Sequence, residues 1–240
     1  MRMEDIEFDT NFDLEDMKKC RQIILSAHGM GSSKDGKTQT KLKEVMKKQG
    51  VGVVSFNLLG RGAELFQTED YIKQFETIEE WARLNFPNSD ISLFGSSFGG
   101  FLMLQYFAKD PDKYSVLILR APAIDLASVV KTEIEKQGIF LNEWVTGDGP
   151  LESYKPFSLE LCSDYANNTT FDTGRNSKIN IIAGENDDMV DIKNYQKLLD
   201  GGAHIYTING AGHQLTSPED LDMFGHYSSL IMEGAKIKWQ

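Results

Sequence analysis

Short apolar runs alternate along this chain with longer amphipathic stretches, and this alternation constrains the fold more than any other feature. The apolar runs lie at 23–27, 51–56, 91–94, 116–119, 179–183 and 204–208. Apolar residues at helical spacing predict helices over 35–49, 68–86, 98–108 and 191–199, and from 218 toward 233. Because run 51–56 is almost continuously apolar, it is typical of a parallel strand covered on both faces. The sequence therefore predicts an α/β fold with a mainly parallel sheet and helices on both faces.

One segment of the chain interrupts this rhythm. Between the runs at 116–119 and 179–183 the sequence is polar and aromatic, without a comparable strand. A structureless loop of that length is uncommon in a compact domain, so we expect a small inserted lid subdomain at 125–178. It follows the carboxyl end of a strand, the edge where ligands bind to open α/β sheets. The 240 residues are thus predicted to form one domain, 1–240, that carries this insert.

The charge balance restricts the partners that the chain can bind. It has 25 Lys and Arg against 36 Asp and Glu, a formal net charge of −11. This charge argues against nucleic acid and anionic membranes as partners and is compatible with a small neutral substrate. The start of the chain is acidic and does not resemble a signal peptide, and Cys20 and Cys162 form no paired motif. We expect a cytoplasmic location; the oligomeric state is left open.

The strongest chemical signal is Gly95-Ser96-Ser97-Phe98-Gly99, a Gly-x-Ser-x-Gly motif centred on Ser97. It follows a predicted strand and opens a predicted helix, as a nucleophile elbow requires. Small residues are needed beside such a serine because its backbone is strained and its neighbours approach closely. The motif predicts that Ser97 is a nucleophile.

A serine nucleophile needs a base, and the base needs an acid that orients it. His213 follows the last predicted strand, where a loop can bring it over Ser97, whereas the other histidines fit less well. The acid is expected in Gly184-Glu185-Asn186-Asp187-Asp188, which also follows a strand. Asp187 is the first choice, Asp188 the second and Asp125 a weaker third, since spacing alone does not separate the first two. The chain order Ser97, Asp187, His213 is that of α/β-hydrolases.

A fourth motif would complete this chemistry. His28-Gly29-Met30-Gly31 follows the first predicted strand. A tetrahedral intermediate needs two backbone N–H donors. We expect Phe98, directly after the nucleophile, to supply one and Met30 to supply the other, with the His28 side chain holding the loop.

Together these motifs resemble the α/β-hydrolase superfamily over nearly the whole chain. The most similar branch comprises small bacterial esterases of the serine-aminopeptidase-like and cinnamoyl (feruloyl) esterase type, which carry a lid between the same strands. The resemblance implies an α/β-hydrolase fold with Ser97 as nucleophile, His213 as base and Asp187 as acid, because Gly184 to Val190 matches the family's Gly-x-x-Asp-x-x-Val. It implies Met30 and Phe98 as oxyanion donors. The loop at 57–62 departs from the family, because relatives commonly begin it with Asp where this chain has Asn57.

The expected activity is hydrolysis of a small or partly apolar carboxylic ester through an acyl-enzyme. A thioester, lactone or amide substrate stays an alternative, and so does a hydrolase-fold protein that only binds its ligand. No cofactor or metal is expected, since the chain has no His-Glu-x-x-His, P-loop or Gly-x-Gly-x-x-Gly motif.

Overall fold

The computed structural model describes residues 1–60, 66–126 and 177–237. Almost all of the predicted lid, 125–178, lies outside these residues, as does Cys162, so the lid stays a prediction. Element numbers below refer to the described part of the chain. Its strands are β1 (Phe8–Thr10), β2 (Gln22–Ala27), β3 (Gly52–Phe56), β4 (Asp90–Ser96), β5 (Leu117–Arg120), β6 (Ile179–Gly184) and β7 (His204–Ile208). Its α-helices are α1 (Leu14–Met17), α2 (Lys37–Lys48), α3 (Thr68–Asn85), α4 (Phe98–Lys109), α5 (Gln196–Asp200) and α6 (Pro218–Ile237).

The described strands form a single sheet in the order β1-β3-β2-β4-β5-β6-β7. Only the β1–β3 pair is antiparallel in this sheet, and the other neighbours run parallel. From β2 the chain passes to β3 on one side, whereas from β4 it passes to β5 on the other. The sheet therefore has its switch point between β2 and β4, where ligands bind in open α/β sheets. The prediction of a mainly parallel α/β fold is confirmed.

Two apolar cores lie on opposite faces of this sheet. Successive residues of β2 show the alternation, since Ile23 and Leu25 belong to one core and Ile24 to the other. Helices α3 and α4 supply the first core with residues such as Phe75 and Phe101. The second core receives residues of α2 and α6, namely Leu42, Met46, Phe224 and Met232. The continuous apolar character of the central strands follows from this burial on both faces.

The sequence prediction missed β1 and differed at several boundaries. Helix α2 begins at Lys37 and not at residue 35, because Gly36 forms its N-cap. The helix predicted at 191–199 begins as a 3-10 turn, Ile192–Tyr195, before α5. Gly50 follows α2 with φ +68°, the left-handed conformation expected of a glycine after a helix. No helix in the described ranges is long and apolar enough to cross a membrane.

Candidate active site

Ser97 occupies a strained turn between β4 and α4. Its φ is +49° and its ψ −113°, a region that non-glycine residues rarely adopt. The turn is fixed from several sides: the Ser97 N–H donates to the carbonyl of Arg120 at 2.8 Å, and the Ser97 carbonyl accepts from Phe101 and Ala123. A Cβ at Gly99 would overlap the carbonyl oxygen of His28. The Gly-x-Ser-x-Gly spacing thus has a steric cause here.

His213 reaches Ser97 from the loop between β7 and α6. Its Nε2 lies 2.9 Å from Oγ of Ser97. His213 is buried, with 5% of its surface exposed. The other histidines have different surroundings: His204 begins β7 and is exposed, His226 is exposed on α6, and the ring of His28 bonds to the backbone of Gly29 and Leu58. In the fold, His213 is thus the histidine that contacts Ser97, and its role as a base stays a prediction.

Asp187, in the loop after β6, binds the other ring nitrogen of His213. Nδ1 of His213 lies 2.9 Å from Oδ2 and 3.1 Å from Oδ1 of the carboxylate. A carboxylate at Nδ1 selects the tautomer with the proton on Nδ1, so Nε2 accepts the hydrogen bond from Ser97. Asp188 is exposed and does not occupy this position, and Asp125 is exposed as well. Spacing along the sequence did not separate Asp187 from Asp188. In the fold, Asp187 is the one that contacts His213.

The Asp187 carboxylate is held in its ionised form. Burial by itself raises its pKa, but the hydrogen bond from His213 opposes this effect, together with those from the backbone N–H groups of Val190 and Met189. Their combined effect places the pKa of Asp187 below its ordinary value. The two backbone bonds, 2.9 Å from Val190 and 3.0 Å from Met189, also fix Oδ1 in place.

The loop after β2 lies against Ser97, as the oxyanion-hole prediction requires. A Cβ built on Gly29 would come within 3.3 Å of Cβ of Ser97. Nε2 of His28 accepts from the N–H of Leu58, in the loop after β3, at 3.0 Å, which leaves Nδ1 to donate to the Gly29 carbonyl in its own loop at 2.7 Å. His28 is thus a structural residue of the loop that carries Met30. Phe98, the other predicted donor, is the first residue of α4, where backbone N–H groups have no helical acceptor.

Asn57, the departure from the family pattern, has a structural role. Its Oδ1 accepts from the Lys34 N–H at 2.8 Å, and its Nδ2 donates to Glu7 at 2.8 Å. Its carbonyl accepts from Gln74 at 2.9 Å. The residue joins the end of β3 to the loop before α2 and to the N-terminal segment. This change therefore leaves the contacts of Ser97 and His213 intact.

A cavity of about 600 Å³ opens over Ser97 and His213, a volume in the usual range for small-molecule sites. Its wall combines the apolar side chains of Met30 and Met189 with polar residues, namely Ser32, Thr38, Gln214 and Thr216. Arg120 also lines it, a buried residue that the sequence analysis passed over. In the sequence, Arg120 could have been noticed as a charged residue directly after the apolar run 116–119. Within the described residues, no group of three or more His, Cys, Asp or Glu side chains is placed to hold a metal.

Comparisons with known proteins agree with this fold. The profile of the family described as serine aminopeptidase, S33, matches residues 18–148, just over half of the chain. The matched stretch includes Met30, Ser97 and Phe98. No curated protein sequence is significantly similar to the chain.

Solved structures resemble it over nearly its whole length. Est1E from Butyrivibrio proteoclasticus with bound ferulic acid superposes with a TM-score of 0.77 at 17% identity, covering 97% of this chain and 96% of the other. The monoacylglycerol lipase of Paleococcus ferrophilus superposes with a TM-score of 0.65 at 15% identity, covering 96% of this chain and 98% of the other. Alpha/beta hydrolase domain-containing protein 10 from mouse superposes with a TM-score of 0.65 at 17% identity, covering 95% of this chain and 94% of the other. At these identities the likeness establishes the fold, which is that of the α/β-hydrolases.

Proposed function

The chain belongs to the serine aminopeptidase S33 family and is an α/β serine hydrolase; from this premise we propose that it cleaves small, partly apolar carboxylic esters through Ser97, His213 and Asp187. One observation carries the proposal. Oγ of Ser97, the His213 ring and the Asp187 carboxylate form an unbroken hydrogen-bonded row, with contacts of 2.9 Å on both sides of the ring. Such a row is the geometry that activates a serine for acyl transfer.

In the first half-reaction, Oγ of Ser97 attacks the ester carbonyl carbon while its proton moves to Nε2 of His213. The carbonyl oxygen becomes an oxyanion, which the backbone N–H groups of Met30 and Phe98 stabilise. The C–O bond to the alcohol then breaks, and the alcohol leaves with the proton from Nε2. Asp187 stays ionised throughout and stabilises the imidazolium that forms in between.

In the second half-reaction a water molecule replaces the alcohol. His213 takes a proton from the water as its oxygen attacks the acyl carbon, and the same two N–H groups stabilise the second oxyanion. The bond to Oγ breaks, Ser97 regains its proton from His213, and the carboxylic acid is released. No step requires a group beyond this chain, the ester and water.

The cavity supports a small substrate with both apolar and polar parts. Met30 and Met189 give it an apolar surface beside the polar residues of its wall. Two of the solved neighbours point the same way: Est1E binds ferulic acid, and the Paleococcus ferrophilus neighbour is a monoacylglycerol lipase. These two neighbours favour an ester over a thioester, lactone or amide.

The test compares hydrolysis of short-chain p-nitrophenyl esters by the wild type, Ser97→Ala and Ser92→Ala. We expect kcat/KM to fall by at least about 1,000-fold in Ser97→Ala, because the nucleophile is lost. Ser92 is the matched control. It is fully buried in β4 and its hydroxyl has no partner among the described residues, so its removal should change kcat/KM by less than about twofold.

Labelling with a fluorophosphonate, followed by peptide mass spectrometry, gives a second readout. We expect modification at Ser97 in the wild type and in Ser92→Ala, and none in Ser97→Ala. Labelling without ester turnover would overturn the ester assignment and favour a thioester, lactone or amide. Folded wild type that is neither labelled nor active would overturn the proposal in favour of a binding protein.

A further inference from the structure

Arg120 places a positive charge beneath the candidate triad, at the carboxyl end of β5. Only 5% of its surface is exposed. Burial lowers its pKa to about 10, and the nearby Asp187 carboxylate opposes this shift, so the guanidinium stays charged at neutral pH. Among the described residues it makes no direct ion pair, and its Nε has no hydrogen-bond partner. A buried charge of this kind is costly for stability, which calls for a functional explanation.

Three hydrogen bonds join Arg120 to the two loops that carry Ser97 and His213. Its backbone carbonyl accepts from the Ser97 N–H at 2.8 Å. One arm of the guanidinium, Nη1, donates to Oγ of Ser96 at 3.0 Å. The other arm, Nη2, donates to the backbone carbonyl of His213 at 3.1 Å. A single residue thus contacts the nucleophile turn and the histidine loop at once.

The strand order explains why such a connection is needed. Ser97 follows β4 and His213 follows β7, and β5 and β6 lie between them in the sheet. Neighbouring strands are about 4.8 Å apart, so the two loops start roughly 14 Å from each other. Arg120 ends β5, inside this gap, and its planar fork can hold two acceptors at a fixed separation.

We propose that Arg120 is a positioning residue, whose guanidinium holds the His213 loop at the distance from the Ser97 turn that proton transfer requires. This inference rests on the proposed function, because it assigns Arg120 a part in the reaction of Ser97 and His213. The hydrogen bonds of the guanidinium within the described residues go to Oγ of Ser96 and to the backbone carbonyl of His213, not to Oγ of Ser97 or the imidazole ring.

The variants that test this are Arg120→Met and Arg120→Lys, with Arg21→Met as the matched control. Methionine removes the charge and both donors at similar length, whereas lysine keeps the charge but lacks the fork. Arg21 is exposed and lies just before β2, at the opposite end of the sheet. Its replacement should leave kcat and KM unchanged within about twofold.

We expect kcat for a p-nitrophenyl ester to fall by about 100-fold in Arg120→Met, the effect of a misplacement near 1 Å, while KM changes by less than about threefold. The rate of fluorophosphonate labelling should fall in parallel, since both depend on the activation of Ser97. The kcat and the labelling rate of Arg120→Lys should lie between those of Arg120→Met and the wild type. If both variants keep the wild-type kcat per folded molecule and lose only thermal stability, Arg120 is structural and the inference is overturned.

Crystal structures of the wild type and of Arg120→Lys separate this inference from the proposed function. We expect the distance from Oγ of Ser97 to Nε2 of His213 to exceed about 3.5 Å in the variant, whether or not the protein cleaves esters. A wild type without ester turnover would overturn the proposed function, while a lengthened contact in the variant would still support positioning by Arg120. An unchanged contact in the variant would overturn the inference, even with an active wild type.

Discussion

The two ring nitrogens of His213 have opposite roles, and the carboxylate beside it decides which is which. With Asp187 at Nδ1, the proton resides there and Nε2 is left to accept from Ser97. An amide in place of the carboxylate could also donate to Nδ1, which would favour the wrong tautomer. The side chain at position 187 therefore decides whether Nε2 of His213 is free to accept the proton of Ser97.

At the same scale, replacing each of two neighbouring aspartates by asparagine tests the role of Asp187. We expect Asp187→Asn to lower kcat/KM for a p-nitrophenyl ester by about 10³- to 10⁴-fold. Asp188→Asn, one residue away and exposed, should change it by less than about threefold. Thermal unfolding of both variants shows whether they are folded at the assay temperature. Equal losses in the two variants would contradict the assignment of Asp187.

At the scale of elements, a buried carboxylate joins α3 to α4 and to the turn after it. Oε2 of Glu79 accepts from the hydroxyls of Tyr106 at 2.7 Å and Tyr114 at 2.6 Å. Oε1 pairs with Arg83 at 2.7 Å and with Lys113 at 2.6 Å. The Glu79 side chain is 2% exposed. Of its partners, Arg83 lies in α3, Tyr106 in α4, and Lys113 and Tyr114 in the segment that follows α4. This cluster fixes α3, which covers one face of the sheet, against α4, which begins at the nucleophile turn.

The pKa of Glu79 makes this contact dependent on pH. Burial by itself raises the pKa, but the hydrogen bonds from Lys113, Tyr114, Tyr106 and Arg83 outweigh it and lower the pKa from 4.5 to about 2. A carboxyl group with a lowered pKa stabilises the fold fully above its unfolded value of 4.5, and this stabilisation is lost as the pH falls toward 2.

We therefore expect Glu79→Gln to lower the free energy of unfolding at neutral pH by about 2 kcal/mol, since it removes the charge but keeps the shape. Glu80→Gln, on the exposed side of the same helix, should change it by less than about 0.5 kcal/mol. Urea unfolding at neutral pH and in the acid range measures both values. The difference between Glu79→Gln and the wild type should shrink as the pH falls below 4.5. A constant difference would exclude ionised Glu79 as its cause.

At the scale of the whole molecule, the net charge of −11 should affect which substrates reach the cavity. A negative surface lowers the local concentration of an anionic ester at low salt, and salt screens this repulsion as the Debye length falls from about 30 Å at 0.01 M to about 8 Å at 0.15 M. We expect kcat/KM for an ester whose acyl chain ends in a carboxylate to rise severalfold over this range. A neutral p-nitrophenyl ester should show little change. A fall for the anionic ester would show that the positive charge of Arg120 outweighs the net charge at the cavity.

The periodic elements of the fold could be predicted from the sequence, because each carries its own local pattern. Apolar runs marked β2 to β7, and helical spacing marked α2, α3, α4 and α6. Strand β1 could not be recognised, since its three residues are too few to show a period and its pairing partner β3 lies far along the chain. The lid prediction rests on residues beyond those described and stays a prediction.

The sequence by itself determined the class of fold and the three loops that carry Ser97, Asp187 and His213, because strand, turn and helix signals are local and the carboxyl ends of parallel strands share one edge. Their catalytic roles stay predictions. The family resemblance favoured Asp187 over Asp188, but only the tertiary structure showed that the Asp187 carboxylate contacts His213 and that Arg120 lies beneath both loops. Both outcomes depend on the direction in which a side chain leaves its loop, and that direction is set by backbone contacts between segments distant along the chain.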